Sequence, residues 1–174
     1  MVRGVVALGF FVLAVGVLFG AGMMIEEEPA GPVTTVSLPS DARETLDRRY
    51  TASTERAWCL YGRIDGRTVV VEHVIWDSAA EGEKTNVEFD CRRDVQRPAG
   101  TAYLGHVHSH PPDSAARPSA IDRGTNYVTS VTVMGIYNGD ELNVFRGEDV
   151  TAALQNPDVG GGSGGPPELR ITTR

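Results

Sequence analysis

The sequence predicts an α+β domain that follows an N-terminal transmembrane helix. A run of 21 uncharged residues, 4–24, supplies the helix. Two pairs of β-rich runs enclose the turn dipeptides Asp65-Gly66 and Asn138-Gly139, and this pattern is typical of β-hairpins. A chain of 174 residues has room for one domain of ordinary size and some extra segments. We therefore divide it into an anchor at 1–24, a linker at 25–39, a domain at 40–150 and a flexible tail at 151–174.

The apolar run 4–24 would span about 31 Å as a helix, close to the thickness of the hydrocarbon core of a bilayer. The alternative is a cleaved signal peptide, because Gly20-Ala21-Gly22 is small enough for a processing site. The apolar region of a signal peptide is normally shorter, however. Arg3 precedes the run and Glu26–Glu28 follow it, so the positive-inside rule predicts a single-pass membrane protein with its domain outside the cytoplasm.

Residues 25–39 carry Glu, Pro, Gly and Thr without a period and predict a spacer. A helix is expected from Asp41 to about Ala52. The first hairpin follows over 55–76, then a short strand over 86–91. The second hairpin is expected over 131–145, and the Gly-rich stretch after residue 156 cannot build a core.

The composition argues against nucleic-acid binding. The formal net charge is −7, and Lys84 is the single lysine among 16 basic residues. Nucleic-acid phosphates require a basic surface, so nucleic acid is not an expected partner.

Cys59 and Cys91 do not form a Cys-x-x-Cys pair, and they are either one disulfide outside the cytoplasm or two buried thiols inside it.

Three of the four histidines lie in one short stretch, at positions 106, 108 and 110. If the run into them is a strand, the three imidazoles share one face, and such a cluster suits a metal ion better than a packed core. Pro111-Pro112 would end the strand. Ser119 and Asp122 would then lie on the same side of the first turn of a helix.

The pattern His108-Ser109-His110-Pro111 with Ser119 and Asp122 resembles the signature of the JAMM (MPN-plus) zinc metallopeptidases. The resemblance implies a mixed sheet flanked by helices, Zn²⁺ bound by His108, His110 and Asp122, and a reacting oxygen supported by Ser119. Eight residues separate His110 from Ser119, one more than is usual in the family. A helix N-cap is the alternative role for Ser119.

The resemblance also implies a catalytic glutamate at the start of the first hairpin. Glu55 and Gly62 match the outer positions of the family segment E-x-x-G-x-x-x-G, but Trp58 replaces the inner glycine. Glu55 would carry a proton from the attacking water to the leaving group. The alternative for Glu55 is a solvated carboxylate, and Trp58 either narrows the cleft or fills a gap.

The other two histidines fall outside this pattern. His106 could pair with His108 in a different metal site, although the Pro and Ser-x-x-Asp after His110 favour the later pair. His73 is expected to be a surface or cross-strand residue.

We therefore predict a membrane-anchored, zinc-dependent hydrolase in which Glu55 and Ser119 are catalytic. Its expected substrates are peptides or isopeptide conjugates of ubiquitin-like proteins. An extracytoplasmic domain would not meet cytoplasmic conjugates, so the predicted location and that substrate exclude each other. The alternative function is a non-catalytic, membrane-tethered interaction module of the MPN type.

Overall fold

A computed structural model describes residues 31–84, 86–91, 97–122, 131–155 and 165–174. These residues form nine strands and two helices, and a further helical turn begins at Ala120. In chain order the elements are β1 Thr35–Leu38, α1 Ala42–Asp47, β2 Ala57–Asp65, β3 Thr68–Trp76, β4 Glu81–Gly82, β5 Val87–Glu88, β6 Ala102–Ser109, β7 Val133–Tyr137, β8 Leu142–Arg146, α2 Gly147–Gln155 and β9 Arg170–Thr173.

Seven strands form one mixed sheet in the order β8-β7-β6-β2-β3-β1-β9. The pairs β6–β7, β1–β3 and β1–β9 are parallel, and the other neighbours are antiparallel. Strands β4 and β5 pair separately in a short two-stranded sheet. The predicted α+β class with a mixed sheet is confirmed.

Both predicted hairpins are present. Gly66 joins β2 to β3 with φ 56°, and Gly139 lies between β7 and β8 with φ 97°. A positive φ of this kind favours glycine, because other side chains would clash with the backbone. The strand that carries the histidines ends at Ser109, ahead of Pro111, as expected.

The first helix is shorter than predicted, because α1 ends at Asp47 instead of continuing to about Ala52. Ala42 and Leu46 bury its apolar side in the main core. The chain then turns, and the hydroxyl of Tyr50 reaches the backbone carbonyls of His110 and Asn138. These tertiary contacts replace the further helical turn.

Two segments predicted to lie outside the domain belong to its sheet. The spacer was expected to run to residue 39, but it ends in β1, whose Val36 and Leu38 are buried in the core. The tail was expected to lack structure from residue 151, but α2 continues to Gln155 and β9 pairs with β1. A parallel pairing between strands so far apart in sequence leaves no local turn signal.

No helix in the described ranges is long and apolar enough to cross a membrane. The predicted span 4–24 lies outside the described residues.

Trp58, which replaces the inner glycine of the predicted glutamate segment, is completely buried in the main hydrophobic core. It pairs across the sheet with Trp76. Trp58 therefore fills space between the sheet and its covering elements, and it does not narrow the cleft.

Candidate metal centre and catalytic site

The candidate site lies where β6 ends. The parallel partner β7 and the antiparallel partner β2 hold β6 in the interior of the sheet. His108 is in the strand, and His110 follows it with its backbone N–H donating to the carbonyl of Tyr137 at 2.8 Å. The strand end is therefore fixed on both sides, and the two imidazoles have defined positions.

Asp122 faces both of these histidines. Its Oδ1 lies 2.9 Å from Nε2 of His108, and its Oδ2 lies 3.2 Å from Nε2 of His110. His108, His110 and Asp122 each offer a ligand atom, and the three atoms lie within 4.8 Å of one another. Two imidazole nitrogens and one carboxylate oxygen are a known ligand set for catalytic zinc, which keeps a fourth position open.

The hydrogen bonding of His108 fits a metal ligand. It is only 3% exposed, yet both of its ring nitrogens lack a hydrogen-bond partner among the described residues. Its Nε2 is close to Asp122, but the approach does not have the geometry of a hydrogen bond. A buried nitrogen left unpaired costs free energy, and coordination of a cation would remove that cost for one of the two nitrogens.

His110 has the outer partner that a ligating histidine usually has. Its Nδ1 lies 3.4 Å from the carbonyl oxygen of Ala115. A proton on Nδ1 would leave the lone pair of Nε2 directed towards Asp122, which is the tautomer needed for coordination.

Electrostatics keep Asp122 ionised. Burial alone would raise the pKa of its carboxyl group, but the adjacent rings of His108 and His110 and the contact with Ser119 lower that pKa well below its usual range. The backbone N–H of Ser119 donates to Oδ2 at 2.6 Å. An ionised carboxylate is the form that binds a metal.

Ser119 caps the helical turn that carries Asp122. Its Oγ accepts a hydrogen bond from the backbone N–H of Asp122 at 3.2 Å, and the Asp122 carboxylate bonds back to the backbone of Ser119. This reciprocal pair has the form of a capping box. The N-cap role considered from the sequence is thus present, and the exposed hydroxyl retains a proton to donate.

Glu55 lines the same small cavity as His108 and Asp122. The cavity holds about 20 Å³, room for roughly one water molecule. Glu55 is only 6% exposed, so it is not the solvated carboxylate of the alternative reading. Burial raises the pKa of Glu55, while His108 and His110 act in the opposite direction.

His106 also lines the cavity, but it does not belong to the ligand group formed by His108, His110 and Asp122. It is 1% exposed and packs against Phe89 in a tilted arrangement, with 4.5 Å between ring centroids. Complete burial lowers the pKa of His106 to about 3, so its ring is neutral. His73 is exposed on β3, in keeping with the surface position expected for it.

Sequence reasoning missed two groups of residues at the site. Asn138, assigned only to a turn, donates from Nδ2 to the carbonyl of Ser114 in the loop after His110. Asn86, Val87 and Phe89 form one wall of the cavity. No local motif marks either group, because both reach the site through tertiary contacts.

Cys59 and Cys91 form a disulfide beside this wall. They lie near Asp77, but as a disulfide they are not available as metal ligands. This resolves the choice between thiols and a disulfide that the sequence left open.

A match to a known protein family covers the candidate site. Residues 41–146 match the family model described as prokaryotic homologues of the JAB domain. The comparison with curated proteins found no match to this chain.

Solved structures similar to this chain include one that shares its fold and a second with a lower similarity. A solution structure of a Desulfitobacterium hafniense protein is 21% identical, with a TM-score of 0.56 over 80% of this chain and 92% of that one. A JAB1/MPN domain protein from Archaeoglobus fulgidus is 19% identical, with a TM-score of 0.44 over 79% of this chain and 98% of that one.

Proposed function

The chain belongs to the family of prokaryotic homologues of the JAB domain, and we propose that it is a zinc-dependent hydrolase of peptide or isopeptide bonds. The observation that carries the proposal is the meeting of His108, His110 and Asp122 beside the buried Glu55. Both catalytic and non-catalytic proteins have this type of domain. The presence of all four groups at one site favours catalysis.

His108, His110 and Asp122 would hold the zinc ion, leaving a fourth position open. A bound zinc ion would act there as a Lewis acid, which polarises a carbonyl group and makes water more acidic. The buried Glu55 would accept a proton from the attacking water and return it to the leaving amine. The hydroxyl of Ser119 would donate a hydrogen bond to the oxyanion that develops on the substrate carbonyl.

We place the domain outside the cytoplasm, tethered by residues 4–24. The charges that flank this span support the orientation, and so does the Cys59–Cys91 disulfide, since disulfides persist in oxidising compartments. An extracytoplasmic domain would act on peptides or on proteins at the cell surface, and not on cytoplasmic conjugates of ubiquitin-like proteins. A reporter joined to Arg174 through a flexible spacer should be active only outside the cytoplasm. Reporter activity in the cytoplasm would reverse this proposal and restore such conjugates as candidates.

The metal proposal is tested by native mass spectrometry of the full chain at neutral pH with zinc supplied. We expect about one zinc per chain in the wild type, and none in His108→Ala or Asp122→Ala. His73→Ala is the matched control and should retain the metal. Loss of zinc in His106→Ala but not in His110→Ala would show that the ligand set is wrong.

The catalytic proposal is tested with Glu55→Gln on a library of short peptides and ubiquitin-like fusions. The amide has nearly the same shape as the carboxylate but accepts no proton, so zinc should remain while hydrolysis falls about a hundredfold or more. The exposed Glu141→Gln is the control and should keep full activity. A wild type that holds zinc and cleaves nothing in the library would indicate the interaction module instead.

A further inference from the structure

The segment between β3 and β6 forms a wall on one side of the candidate site. We define the wall segment as residues 77–84 and 86–91, which include β4 and β5. It ends at Cys91, whose disulfide partner Cys59 lies in β2, directly across from His106 in β6. The wall segment is therefore tied covalently to the strand beside the site.

Both backbone polar groups of Glu55 face the wall segment. The N–H of Glu55 donates to the carbonyl of Glu83 at 2.7 Å. The carbonyl of Glu55 packs against Gly82, since a Cβ added to Gly82 would lie 2.0 Å from the carbonyl oxygen of Glu55. Only glycine permits this approach, so β4 fits closely against the backbone of the proposed proton carrier.

The disulfide lies at the centre of the contacts that hold the wall in place. Cys59, Cys91 and Tyr61 form a buried cluster against which Phe89 packs, and the ring of Phe89 also contacts that of His106 in a tilted arrangement. The hydroxyl of Tyr61 donates to the carbonyl of Cys91 at 2.5 Å. These contacts surround the end of the wall segment, whose two-residue strands would be unstable alone.

We propose that Gly82 and the Cys59–Cys91 disulfide are positioning residues for Glu55, so that catalytic turnover depends on the closed wall segment. The inference rests on the proposed function, because it assigns a task to Glu55. None of the zinc ligands lies in the wall segment. Opening this wall should therefore displace Glu55 and leave the metal bound.

The experiment uses zinc-loaded full-length protein and two variants, Gly82→Ala and Cys91→Ala. Amide exchange at Glu55 is followed by hydrogen-exchange mass spectrometry with fragmentation to single residues. We expect exchange about tenfold faster or more in both variants, because the bond to Glu83 is weakened. We expect kcat to fall about tenfold to a hundredfold, with unchanged zinc content and little change in KM.

Val144→Ala serves as a control for general loss of stability, since Val144 is buried in β8 and belongs to a different core cluster from the disulfide. It should lower the melting temperature without speeding exchange at Glu55. If Cys91→Ala does not fold, Gly82→Ala carries the test alone, because it leaves the disulfide intact. Exchange and kcat at wild-type values in a folded Gly82→Ala variant would overturn the inference. A wild type with no hydrolytic activity would refute the proposed function, and exchange at Glu55 would still decide whether the wall segment holds that residue.

Discussion

Asp122 connects the other residues of the site. Each of its carboxylate oxygens faces a different histidine, and its backbone N–H bonds to Ser119. One carboxylate thus contacts both candidate ligand histidines and also caps the helical turn that carries it. A change at Ser119 should therefore affect both the fold of this turn and the chemistry.

The two roles of Ser119 can be separated by comparing two substitutions. Ser119→Ala removes the cap and should cost about 1 kcal/mol of stability. Glycine is tolerated at an N-cap at a cost of only about a few tenths of a kcal/mol, so Ser119→Gly should retain most of that stability. Neither variant has a side-chain donor, so both should lose roughly tenfold to a thousandfold in kcat if Ser119 supports the oxyanion. Thermal unfolding and kinetics measure the two effects, and full activity in Ser119→Gly would leave Ser119 only the capping role.

The sequence could point to His108, His110 and Asp122 as candidate metal ligands because they lie in two short stretches. Strand alternation, the prolines after His110 and the start of the helix at Ser119 are all local features. Such local features do not predict the burial of Glu55. It depends on Glu83 and Gly82, which belong to the wall segment and carry no recognisable pattern.

At the scale of elements, the turn between β7 and β8 anchors the loop that follows His110. Asn138 donates to the carbonyl of Ser114, and its Oδ1 accepts the backbone N–H groups of Asp140 and Glu141. Tyr50, which follows α1, bonds from its hydroxyl to the carbonyl of Asn138 at 2.8 Å. Residues from distant parts of the chain thus hold the loop after His110 against the sheet.

Loss of this anchor should weaken metal binding. Asn138→Ala removes the bond to Ser114 and leaves the loop free to move, so we expect zinc affinity to fall about tenfold to a hundredfold. The exposed side chain of Asp140 makes no such contact with Ser114, and Asp140→Ala should leave zinc affinity unchanged. Competition with a chromophoric chelator measures both values. Equal affinities in the two variants would show that the turn does not support the metal site.

At the scale of the whole molecule, β1 and β9 extend the sheet beyond the hairpins that the sequence revealed. Local turn signals identified β2–β3 and β7–β8. The parallel pairs of β1 with β3 and β9 have no such signal, since their partners are separated by long stretches of chain. The Gly-rich composition before residue 165 also concealed the strand that follows it.

Removal of residues 165–174 should destabilise the domain. Leu169 and Ile171 pack against the main core, and the backbone of β9 pairs with β1. We expect a loss of about 2–4 kcal/mol in the free energy of unfolding, from partial burial of two apolar side chains and several hydrogen bonds. Thr173→Ala, at an exposed position of the same strand, should change it by no more than about 0.5 kcal/mol. Denaturant unfolding curves that coincide for the truncated and intact chains would contradict the prediction.

The first described residues of the domain lie at the end of the sheet opposite the candidate site. Arg67, in the turn between β2 and β3, bonds to the backbone of Pro32 and Thr34, whereas Glu55 precedes the opposite end of β2. The length of β2, about 26 Å, therefore separates the first described residues of the domain from the candidate site. With residues 4–24 as the proposed tether, the proposed active site would lie away from the bilayer surface and would meet substrates in the aqueous phase in preference to lipid-embedded ones.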